Sequence, residues 1–444
     1  MVNDSLGSSD LLGSKFATRP SECVAYIMSR FPVISETFVL YEMLELQKAG
    51  LRIEIFPLIH QDEKVVHPEV ESLVKQTHYT PLLSTEALSA QFYWLWKRPK
   101  AYLRIWWRAI FGNVRSPNFL VRAVVVVLRA ATFARRIQAL DVTHVHAHWA
   151  THPTLAAYVI HQLTGITYSF TAHADDIYVD RAMLGEKIRE ASFVVTISEY
   201  NRQFLKRLYG TEAEKKLVIV RYGVDFSVFN PPSAKSRSKL FTIICVARLE
   251  EKKGHSYLIE ACARLKAQSV PFRCLFVGDG KKRREVEIEI ARSGLADHII
   301  LLGRQPRNRV QELLAEADVF VLSSVTTAKG RQEGLPNVLV EALAVSLPVV
   351  ATSISGTPEL VIDGQTGLLV PPRDAQAIEV AILKLYRDPE LGKRLALEGR
   401  AKVLREFDLA HNVARLHRLF TQDWSLASVP AFVLPVDVVS EKVS

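Results

Sequence analysis

Several features that would place a chain of this length in a common class are absent. The 444 residues include only four cysteines, Cys23, Cys245, Cys262 and Cys274, with no Cys-x-x-Cys pair, which argues against a disulfide scaffold or a zinc ribbon. No uninterrupted apolar run reaches the roughly 18 residues that a membrane-spanning helix requires. Residues 1–20 are polar and lack the apolar core of a secretory signal. We therefore expect a cytoplasmic protein with reduced thiols in its core.

Acidic residues are missing from residues 87–140, although the whole chain contains 47 of them. The segment holds ten Lys and Arg residues and four of the six tryptophans. It therefore carries a charge of +10, and because the formal net charge is +9, the rest of the chain sums to −1.

Basic side chains interleaved with large aromatic residues suit an anionic membrane surface. We predict peripheral contact with the inner face of the cytoplasmic membrane. The candidate contact residues are Trp94, Trp96, Lys97, Arg98, Arg104, Trp106, Trp107 and Arg108. An ordinary helical subdomain with buried tryptophans and solvated arginines is the alternative. Nucleic acid is not expected as a partner, since no recognised binding motif accompanies the charge.

Short β-rich runs alternate with amphipathic stretches in two series, separated by a turn-rich passage at 221–233. This alternation predicts an α/β fold with two parallel sheets, each covered by helices on both faces. Ligands of such units bind at the carboxyl ends of the strands, here in the cleft between domains. The predicted division is a flexible extension (1–22), an acceptor domain (23–222) containing the basic aromatic helical segment (87–140), a donor domain (223–405), a helix that could return to the first domain (406–422) and a flexible tail (423–444).

Two carboxylates, Glu333 and Glu341, lie on either side of a predicted helix start. Pro336 suits the first helical position because it lacks an amide hydrogen. Glu333 should then lie on the preceding loop and Glu341 on the helix, with free amides at residues 337–339 that suit an anion. A sugar nucleotide fits such a site. Paired carboxylates are also typical of glycosidases.

Motifs in both halves of the chain resemble one enzyme family. In the second half they are Arg-Leu-Glu-Glu-Lys-Lys-Gly (248–254), Phe-Val-Gly-Asp-Gly (276–280), Glu-Gly-Leu-Pro (333–336) continuing to Glu341, Pro-Val-Val-Ala-Thr (348–352) and Gly-Leu-Leu-Val (367–370). In the first half they are Ser-Arg-Phe-Pro-Val-Ile-Ser-Glu-Thr-Phe (29–38), His-Ala-His-Trp (146–149) and Phe-Thr-Ala-His-Ala-Asp-Asp-Ile-Tyr (170–178). Over residues 23–422 the chain resembles retaining GT-B glycosyltransferases of family GT4, of the colanic-acid and exopolysaccharide type. The resemblance implies two Rossmann-like domains that face an interdomain cleft.

The resemblance also implies roles for individual residues. Arg248 and Lys253 would bind the donor diphosphate, and Glu341 the ribose hydroxyls. Glu333 and His173 would contact the donor sugar near the reacting carbon and are the catalytic candidates. Gly334, Leu335, Pro336 and Asn337 complete the donor site. The chain contains no Asp-x-Asp pair, so we expect cationic side chains to replace a divalent metal, with no cofactor.

The remaining candidates lie in the first half. Ser35, Glu36 and Thr37 follow the first strand, where they can cap a helix or contact ligand. His144, His146 and His148 alternate along one strand. We expect His148 to line the cleft on the acceptor side and no metal to bind, because side chains two apart on a strand seldom converge on one ion.

Two serines depart from the family pattern. Ser346 and Ser355 stand where the family usually has glycine, and Ser346 predicts mild backbone strain or a changed turn.

Together these features predict a retaining, metal-independent hexosyltransferase. It would use a UDP- or GDP-sugar and a lipid-linked or oligosaccharide acceptor, in the synthesis of exopolysaccharide or cell-surface polysaccharide. The rivals are an inactive membrane-associated scaffold and a phosphorylase, epimerase or hydrolase of the same fold.

Overall fold

Two six-stranded parallel sheets form the framework of the protein. The computed structural model describes residues 22–33, 37–61, 69–114, 117–231 and 240–421. Ser35 and Glu36 therefore lie outside the described residues. The two predicted flexible ends do so as well, except for Glu22.

The first sheet has the order β2-β1-β3-β4-β5-β6. Its strands are β1 (Cys23–Phe31), β2 (Arg52–His60), β3 (His144–His148), β4 (Thr167–Ala172), β5 (Phe193–Thr196) and β6 (Leu217–Ile219). The second sheet has the order β12-β11-β10-β7-β8-β9. Its strands are β7 (Phe241–Val246), β8 (Phe272–Val277), β9 (Ile299–Gly303), β10 (Val319–Leu322), β11 (Val349–Thr352) and β12 (Leu368–Val370).

Helices connect the strands and cover both sheets. Those of the first half are α1 (Thr37–Lys48), α2 (Val70–Val74), α3 (Thr85–Lys97), α4 (Pro99–Phe111), α5 (Pro117–Ala139), α6 (His152–Thr164), α7 (Asp175–Tyr178), α8 (Leu184–Glu190) and α9 (Glu199–Glu214). Those of the second half are α10 (His255–Ala267), α11 (Arg283–Arg292), α12 (Arg307–Glu316), α13 (Asn337–Ala344), α14 (Thr357–Leu360), α15 (Ala375–Arg387), α16 (Pro389–Glu406) and α17 (Leu409–Thr421).

The central strands are buried on both faces. Strands β4, β5, β10 and β11 are almost entirely buried, as expected for parallel sheets with helices on each side. The four cysteines are buried with free thiols, and burial raises the pKa of Cys245 to about 12. A thiol in this state packs as a small apolar side chain.

Helix α17 follows the second sheet in sequence but packs against the first domain. Val413 and Leu416 of α17 share a core cluster with Val39 and Met43 of α1. Just before α17, the amide of Val224 donates a 2.8 Å hydrogen bond to the carbonyl of Phe407. The two segments that connect the domains therefore run side by side.

The basic segment forms helices α3, α4 and α5. Three of the residues predicted to contact a membrane instead pack against the core or form an ion pair. Trp94 is 0% exposed and its indole donates to the carbonyl of Ala131 at 2.8 Å, so the prediction that it contacts a membrane is wrong. Trp106 is half-buried against the same core. Arg108 is held 2.6 Å from Glu186. These three side chains stabilise the packing of the helices.

The other aromatic and basic side chains of this segment face outward. Trp96 is 84% exposed and Trp107 63% exposed. The exposed surface of α3 and α4, as we call it below, also includes Phe92, Leu95, Lys97, Arg98, Lys100, Leu103, Arg104 and Phe111. Among the described residues, no helix combines the length and the apolar character needed to cross a bilayer.

Helix α13 begins one residue later than the sequence predicts. Pro336 has φ −72° and ψ 117°, which is an extended conformation, and the helix starts at Asn337. The proline thus occupies the N-cap position, where a missing amide hydrogen costs nothing. At its other end the chain turns through Ser346, which has φ 57°, and Ser355 has φ 46°. Both serines adopt the left-handed conformation that glycine accommodates more easily.

Candidate active site

A cleft lies where the carboxyl ends of the two sheets face each other, and it contains a cavity of about 490 Å³. The cavity is lined by most of the residues that the sequence analysis selects. These are Thr37, His173, Arg248, Lys253, Glu333, Gly334, Leu335, Pro336, Asn337 and Glu341. The cavity therefore brings together residues that lie up to about 300 positions apart in the sequence.

Glu333 is buried on the loop between β10 and α13 and is held by two lysines. Its Oε2 lies 2.9 Å from Nζ of Lys253, and its Oε1 lies 3.5 Å from Nζ of Lys252. Burial alone would raise the pKa of this carboxyl, but the charges of Lys253 and Lys252, together with the hydrogen bond from Lys253, lower the pKa to about 2. Glu333 is therefore an anion and a weak base at neutral pH.

Lys252 is a site residue that the sequence analysis missed. Its side chain is buried, and Nζ also lies 3.5 Å from the carboxylate of Asp175 in the opposite domain. Both lysines reach Glu333 because residues 251–253 form a single 3₁₀ turn. Gly254 ends that turn with φ 62°, where a Cβ atom would lie 2.0 Å from the carbonyl oxygen of Ser323. Two lysines followed by a glycine after a buried strand are the sequence signal for this arrangement.

Arg248 follows β7 and extends into the cleft. Its guanidinium is well exposed and lies 3.1 Å from Glu250. An exposed arginine beside two buried lysines gives this wall of the cavity three cationic groups. Such a cluster can bind the negative charge of a diphosphate.

The N-terminus of α13 offers fewer free amides than the sequence predicts. The amide of Leu339 donates to the carbonyl of Pro336 at 3.1 Å, so it is not available to a ligand. Oε1 of Glu333 and Oδ1 of Asn337 are buried and accept no hydrogen bond from the described residues. Both oxygens can therefore accept hydrogen bonds from ligand hydroxyl groups.

Glu341 lines the same cavity one turn further along α13. Burial raises the pKa of this carboxyl to about 7, and Arg307 only partly offsets the effect. The carboxylate thus faces the cavity without the close lysines that Glu333 has.

The opposite wall is formed by residues that follow strands of the first sheet. His173 follows β4, and its main-chain amide is fixed by Asp176, whose Oδ1 lies at 3.1 Å. Both ring nitrogens of His173 have protein partners, because Nδ1 lies 2.6 Å from the hydroxyl of Tyr222 and Nε2 lies 3.3 Å from Nδ1 of His148. Burial lowers the pKa of His173 well below its usual range. The imidazole is therefore neutral, and it reaches the cavity through its ring and through Tyr222.

The two walls lie close together at Gly334. A Cβ atom at this position would lie 2.6 Å from the carbonyl oxygen of His173. Backbone atoms cannot yield as a flexible side chain can, so only glycine fits here while the cleft has this width.

Comparisons with known proteins identify the family. Residues 229–402 match the family model described as "Glycosyl transferases group 1". The chain is 31% identical over 402 residues to a Salmonella typhimurium protein named as the colanic acid biosynthesis glycosyltransferase WcaL, covering 87% of this chain and 96% of the relative. The chain belongs to the group 1 glycosyltransferases.

A second relative agrees with this assignment, and two solved structures show the fold. The amylovoran biosynthesis glycosyltransferase AmsK of Erwinia amylovora is 39% identical over 199 residues, covering 45% of this chain and 49% of AmsK. The crystal structure of Anabaena HepE in complex with UDP has a TM-score of 0.67 at 17% identity, covering 90% of this chain and 99% of HepE. A sucrose-phosphate synthase from Thermosynechococcus elongatus has a TM-score of 0.67 at 19% identity, covering 90% and 98%. This glycosyltransferase has the GT-B fold of two Rossmann-like domains.

Ion pairs and a helix cap join the two domains around the cleft of this glycosyltransferase. Arg331 of the second domain lies 2.8 Å from Asp175 of the first. The carboxylate of Glu359, on α14, accepts hydrogen bonds from the amides of Glu199 at 2.9 Å and Tyr200 at 2.7 Å, the first residues of α9. An anionic cap at a helix N-terminus is stabilising, and here it comes from the other domain.

The alternating histidines on β3 lie behind the cleft rather than in it. His148 is fully buried and bonds to Glu42 at 3.1 Å as well as to His173, so its predicted place in the cleft lining is wrong. His146 bonds to the hydroxyls of Ser169 at 2.8 Å and Thr171 at 3.0 Å. The strand turns these side chains toward α1 and β4, and His173 separates them from the cavity.

Glu42, His146 and His148 form a group whose ligand atoms lie within 4.8 Å of one another. Such a group could hold a metal ion, contrary to the expectation that the strand histidines do not converge. However, each ring nitrogen of His146 and His148 already has a hydrogen-bond partner in the protein. The donor set therefore fits a hydrogen-bond network better than an ion.

Proposed function

We propose that this glycosyltransferase moves a hexose from a UDP- or GDP-sugar to a glycan acceptor, with retention of configuration and without a divalent metal. The observation that carries the proposal is the cluster of Arg248, Lys252 and Lys253 around Glu333 in the interdomain cavity. The cations can bind the diphosphate, while the anion Glu333 faces the position of the donor sugar. The cluster supplies the positive charge that a metal ion supplies in other transferases.

Both nucleotides are supported by relatives. Anabaena HepE has been crystallised with UDP and with UDP-glucose. A mannosyltransferase of Mycolicibacterium smegmatis, 30% identical over 252 residues, is named as GDP-mannose-dependent. The names of WcaL and AmsK support a role in exopolysaccharide biosynthesis. We extend this role to a lipid-linked or oligosaccharide acceptor.

The pKa values of the cleft support transfer on the same face of the sugar, with the leaving phosphate oxygen taking the acceptor proton. Glu333 has a pKa of about 2, and the pKa of His173 lies well below its usual range. A general base works best with a pKa near the working pH, so neither group is suited to deprotonate the acceptor. Glu341 has a suitable pKa of about 7, but we assign it to the ribose hydroxyls.

Isothermal titration with UDP and GDP in the presence of EDTA tests the donor site. We expect one of the two nucleotides to bind, and Lys253→Met to weaken that binding more than tenfold, since it removes a charged hydrogen-bond donor. Lys393→Met, at an exposed lysine on α16 of the same domain, is the matched control. If neither nucleotide binds the wild-type protein, the donor-site assignment is wrong.

We also propose that the exposed surface of α3 and α4 binds an anionic membrane at the inner face of the cytoplasmic membrane. Trp96 and Trp107 are large and exposed, and exposed Lys97, Arg98 and Arg104 lie on the same two helices. Tryptophan is favoured at headgroup depth, and each basic residue near an anionic surface adds about 1 kcal/mol. This location suits an enzyme with a lipid-linked acceptor.

Flotation with liposomes of neutral or anionic lipid tests the membrane surface. We expect binding to the anionic liposomes that salt weakens, and strong loss of binding in the double variant Trp96→Ser, Trp107→Ser. Leu397→Ser is the control, because Leu397 is also 63% exposed but lies on α16. Equal binding by both variants, or binding that salt does not affect, would refute this surface.

A further inference from the structure

A chain of hydrogen bonds leads from the cavity into the interior of the first domain. The hydroxyl of Tyr222 lies 2.6 Å from Nδ1 of His173, and Nε2 of His173 lies 3.3 Å from Nδ1 of His148. Nε2 of His148 lies 3.1 Å from Oε1 of Glu42. The same oxygen accepts a 2.9 Å hydrogen bond from the hydroxyl of Tyr26. Tyr222 and His173 line the cavity, whereas Glu42 and His148 do not.

The ring orientations suit hydrogen bonding along this chain. The planes of Tyr222 and His173 differ by 11°, with their centroids 5.9 Å apart. The planes of His173 and His148 differ by 29°, with centroids 5.4 Å apart. The ring planes are thus nearly parallel, and the facing edge atoms lie within hydrogen-bonding distance of each other. Phe38 packs against His173 and Tyr222 at 5.3 and 4.6 Å between centroids, which restricts their rotation.

The carboxylate at the buried end determines the direction of every bond. A carboxylate only accepts, so Nε2 of His148 must carry the proton that it donates to Glu42. In a neutral imidazole Nδ1 of His148 is then an acceptor, and Nε2–H of His173 donates to it. Nδ1 of His173 in turn accepts from the hydroxyl of Tyr222. This arrangement, with one proton on each imidazole, satisfies all three bonds.

At the cleft, Tyr222 therefore cannot donate a hydrogen bond to a ligand. Its single hydroxyl hydrogen is directed at His173, and its remaining lone pair can only accept. A sugar hydroxyl is a suitable donor for that position, whereas a phosphate oxygen is not.

We propose that Tyr222 accepts a hydrogen bond from a hydroxyl group of the donor sugar, and that Glu42 is a positioning residue that sets this polarity through His148 and His173. This inference rests on the proposed nucleotide-sugar donor. It concerns recognition of the sugar, not of the nucleotide, and involves no proton transfer.

Titration with bare nucleotides and sugar nucleotides tests the contact made by Tyr222. The probes are UDP with UDP-glucose and GDP with GDP-mannose, and the quantity compared is the ratio of the two dissociation constants within each pair. We expect Tyr222→Phe to leave the affinity for the bare nucleotide within twofold. The same variant should reduce the contribution of the sugar about fivefold to tenfold, as expected for one hydrogen bond. Equal effects on both members of the pair would refute the contact, whereas failure of all four probes to bind the wild type would refute the donor site itself.

The role of Glu42 has a spectroscopic test that does not require a ligand. With ¹⁵N-labelled histidine, the wild-type protein should show His148 and His173 both protonated at Nε2. Glu42→Leu removes the acceptor, so His148 is no longer required to carry its proton at Nε2, and the signals of His148 and His173 should both shift toward the Nδ1–H tautomer. Tyr26→Phe is the matched control, because it removes the other partner of Glu42 and should leave both tautomers unchanged.

The two variants distinguish positioning from a structural role. If Glu42→Leu lowers the melting temperature but leaves both tautomers as in the wild type, Glu42 does not set the polarity. Stoichiometric zinc in the purified protein, bound through Glu42, His146 and His148, would also overturn the proposal, since the metal would occupy the nitrogens that the chain requires. Should Glu42→Leu fail to fold, the wild-type tautomers and the Tyr222→Phe titration still test the proposal.

Discussion

Replacing Glu341 with glutamine separates the binding role of this carboxylate from its effect on stability. The side chain lines the donor cavity, and its pKa is raised from 4.5 to about 7 because burial disfavours the charged form. A group whose folded pKa is raised contributes stability below its unfolded pKa and loses it as pH rises through the folded pKa. Between pH 4.5 and 7 the wild-type protein should therefore become less stable, and above pH 7 the full cost remains.

The size of this cost follows from the shift in pKa. A shift of about 2.5 units corresponds to at most about 3.4 kcal/mol. Glu341 is only half-buried and faces an open cavity, so solvent screening reduces this cost to about 1–2 kcal/mol. Glu341→Gln removes the charge and keeps the shape, and we expect it to raise the melting temperature by about 2–8 °C at pH 8. At pH 5 the gain should fall to about a quarter of that value.

Thermal unfolding of both proteins at pH 5, 6, 7 and 8 measures the stability effect, and titration with the nucleotide measures binding. We expect the same substitution to weaken nucleotide binding about tenfold, because a charged acceptor for the ribose hydroxyls is lost. The turnover number at saturating donor should change little. Glu341→Asp, which keeps the charge but shortens the side chain, is the control for the stability gain.

Two results would refute this reasoning. A melting-temperature difference that does not grow between pH 5 and pH 8 would mean that Glu341 is not destabilised by burial. Loss of turnover with unchanged nucleotide affinity would make Glu341 the catalytic base, and the proposal that the leaving phosphate takes the acceptor proton would then be wrong.

Three further predictions concern other parts of the molecule. Gly334→Ala should lower turnover at least tenfold with little change in melting temperature, because the added Cβ meets the carbonyl of His173 and holds the walls apart. Turnover equal to that of the wild type would contradict the inference that the cleft must close to this width for catalysis. Trp94→Phe should destabilise the protein by about 1–3 kcal/mol, since it leaves the carbonyl of Ala131 without its donor, whereas Trp96→Ser should leave denaturant unfolding unchanged. Glu359→Ala removes the cap that joins the domains and should increase the radius of gyration of the free protein in small-angle scattering; an unchanged radius would show that the other contacts suffice.

The fold was predictable where apolar runs are continuous and short. Strands such as β7 and β10 are buried on both faces, so they stand out as apolar segments between turns. Helix α16 was not predicted, because Pro389 reads as a break although it occupies the first turn of that helix. Helix α9 was not predicted either. Its sequence is polar and is interrupted at Gly210, which has φ 79°.

The site was predictable only in part, for a different reason. Glu333, Glu341 and Lys253 lie in segments whose local sequence resembles a known family. Glu42 and Tyr222 do not lie in such segments. Their roles depend on contacts with distant residues, since Glu42 contacts His148, 106 residues away, and Tyr222 contacts His173, 49 residues away. A local sequence pattern does not show that residues so far apart in the chain lie close together in space. The exposed or buried state of each tryptophan in the basic segment likewise depends on how α3, α4 and α5 pack together.

The return of α17 to the first domain also bears on how the chain folds during synthesis. The surface of α1 that α17 covers stays open until the ribosome has made the entire second domain, including Phe407. The second domain is continuous in sequence and can fold as it emerges, whereas the first domain is completed last. Until then, the apolar side chains of α1 that α17 covers, among them Val39 and Met43, lack this part of their packing.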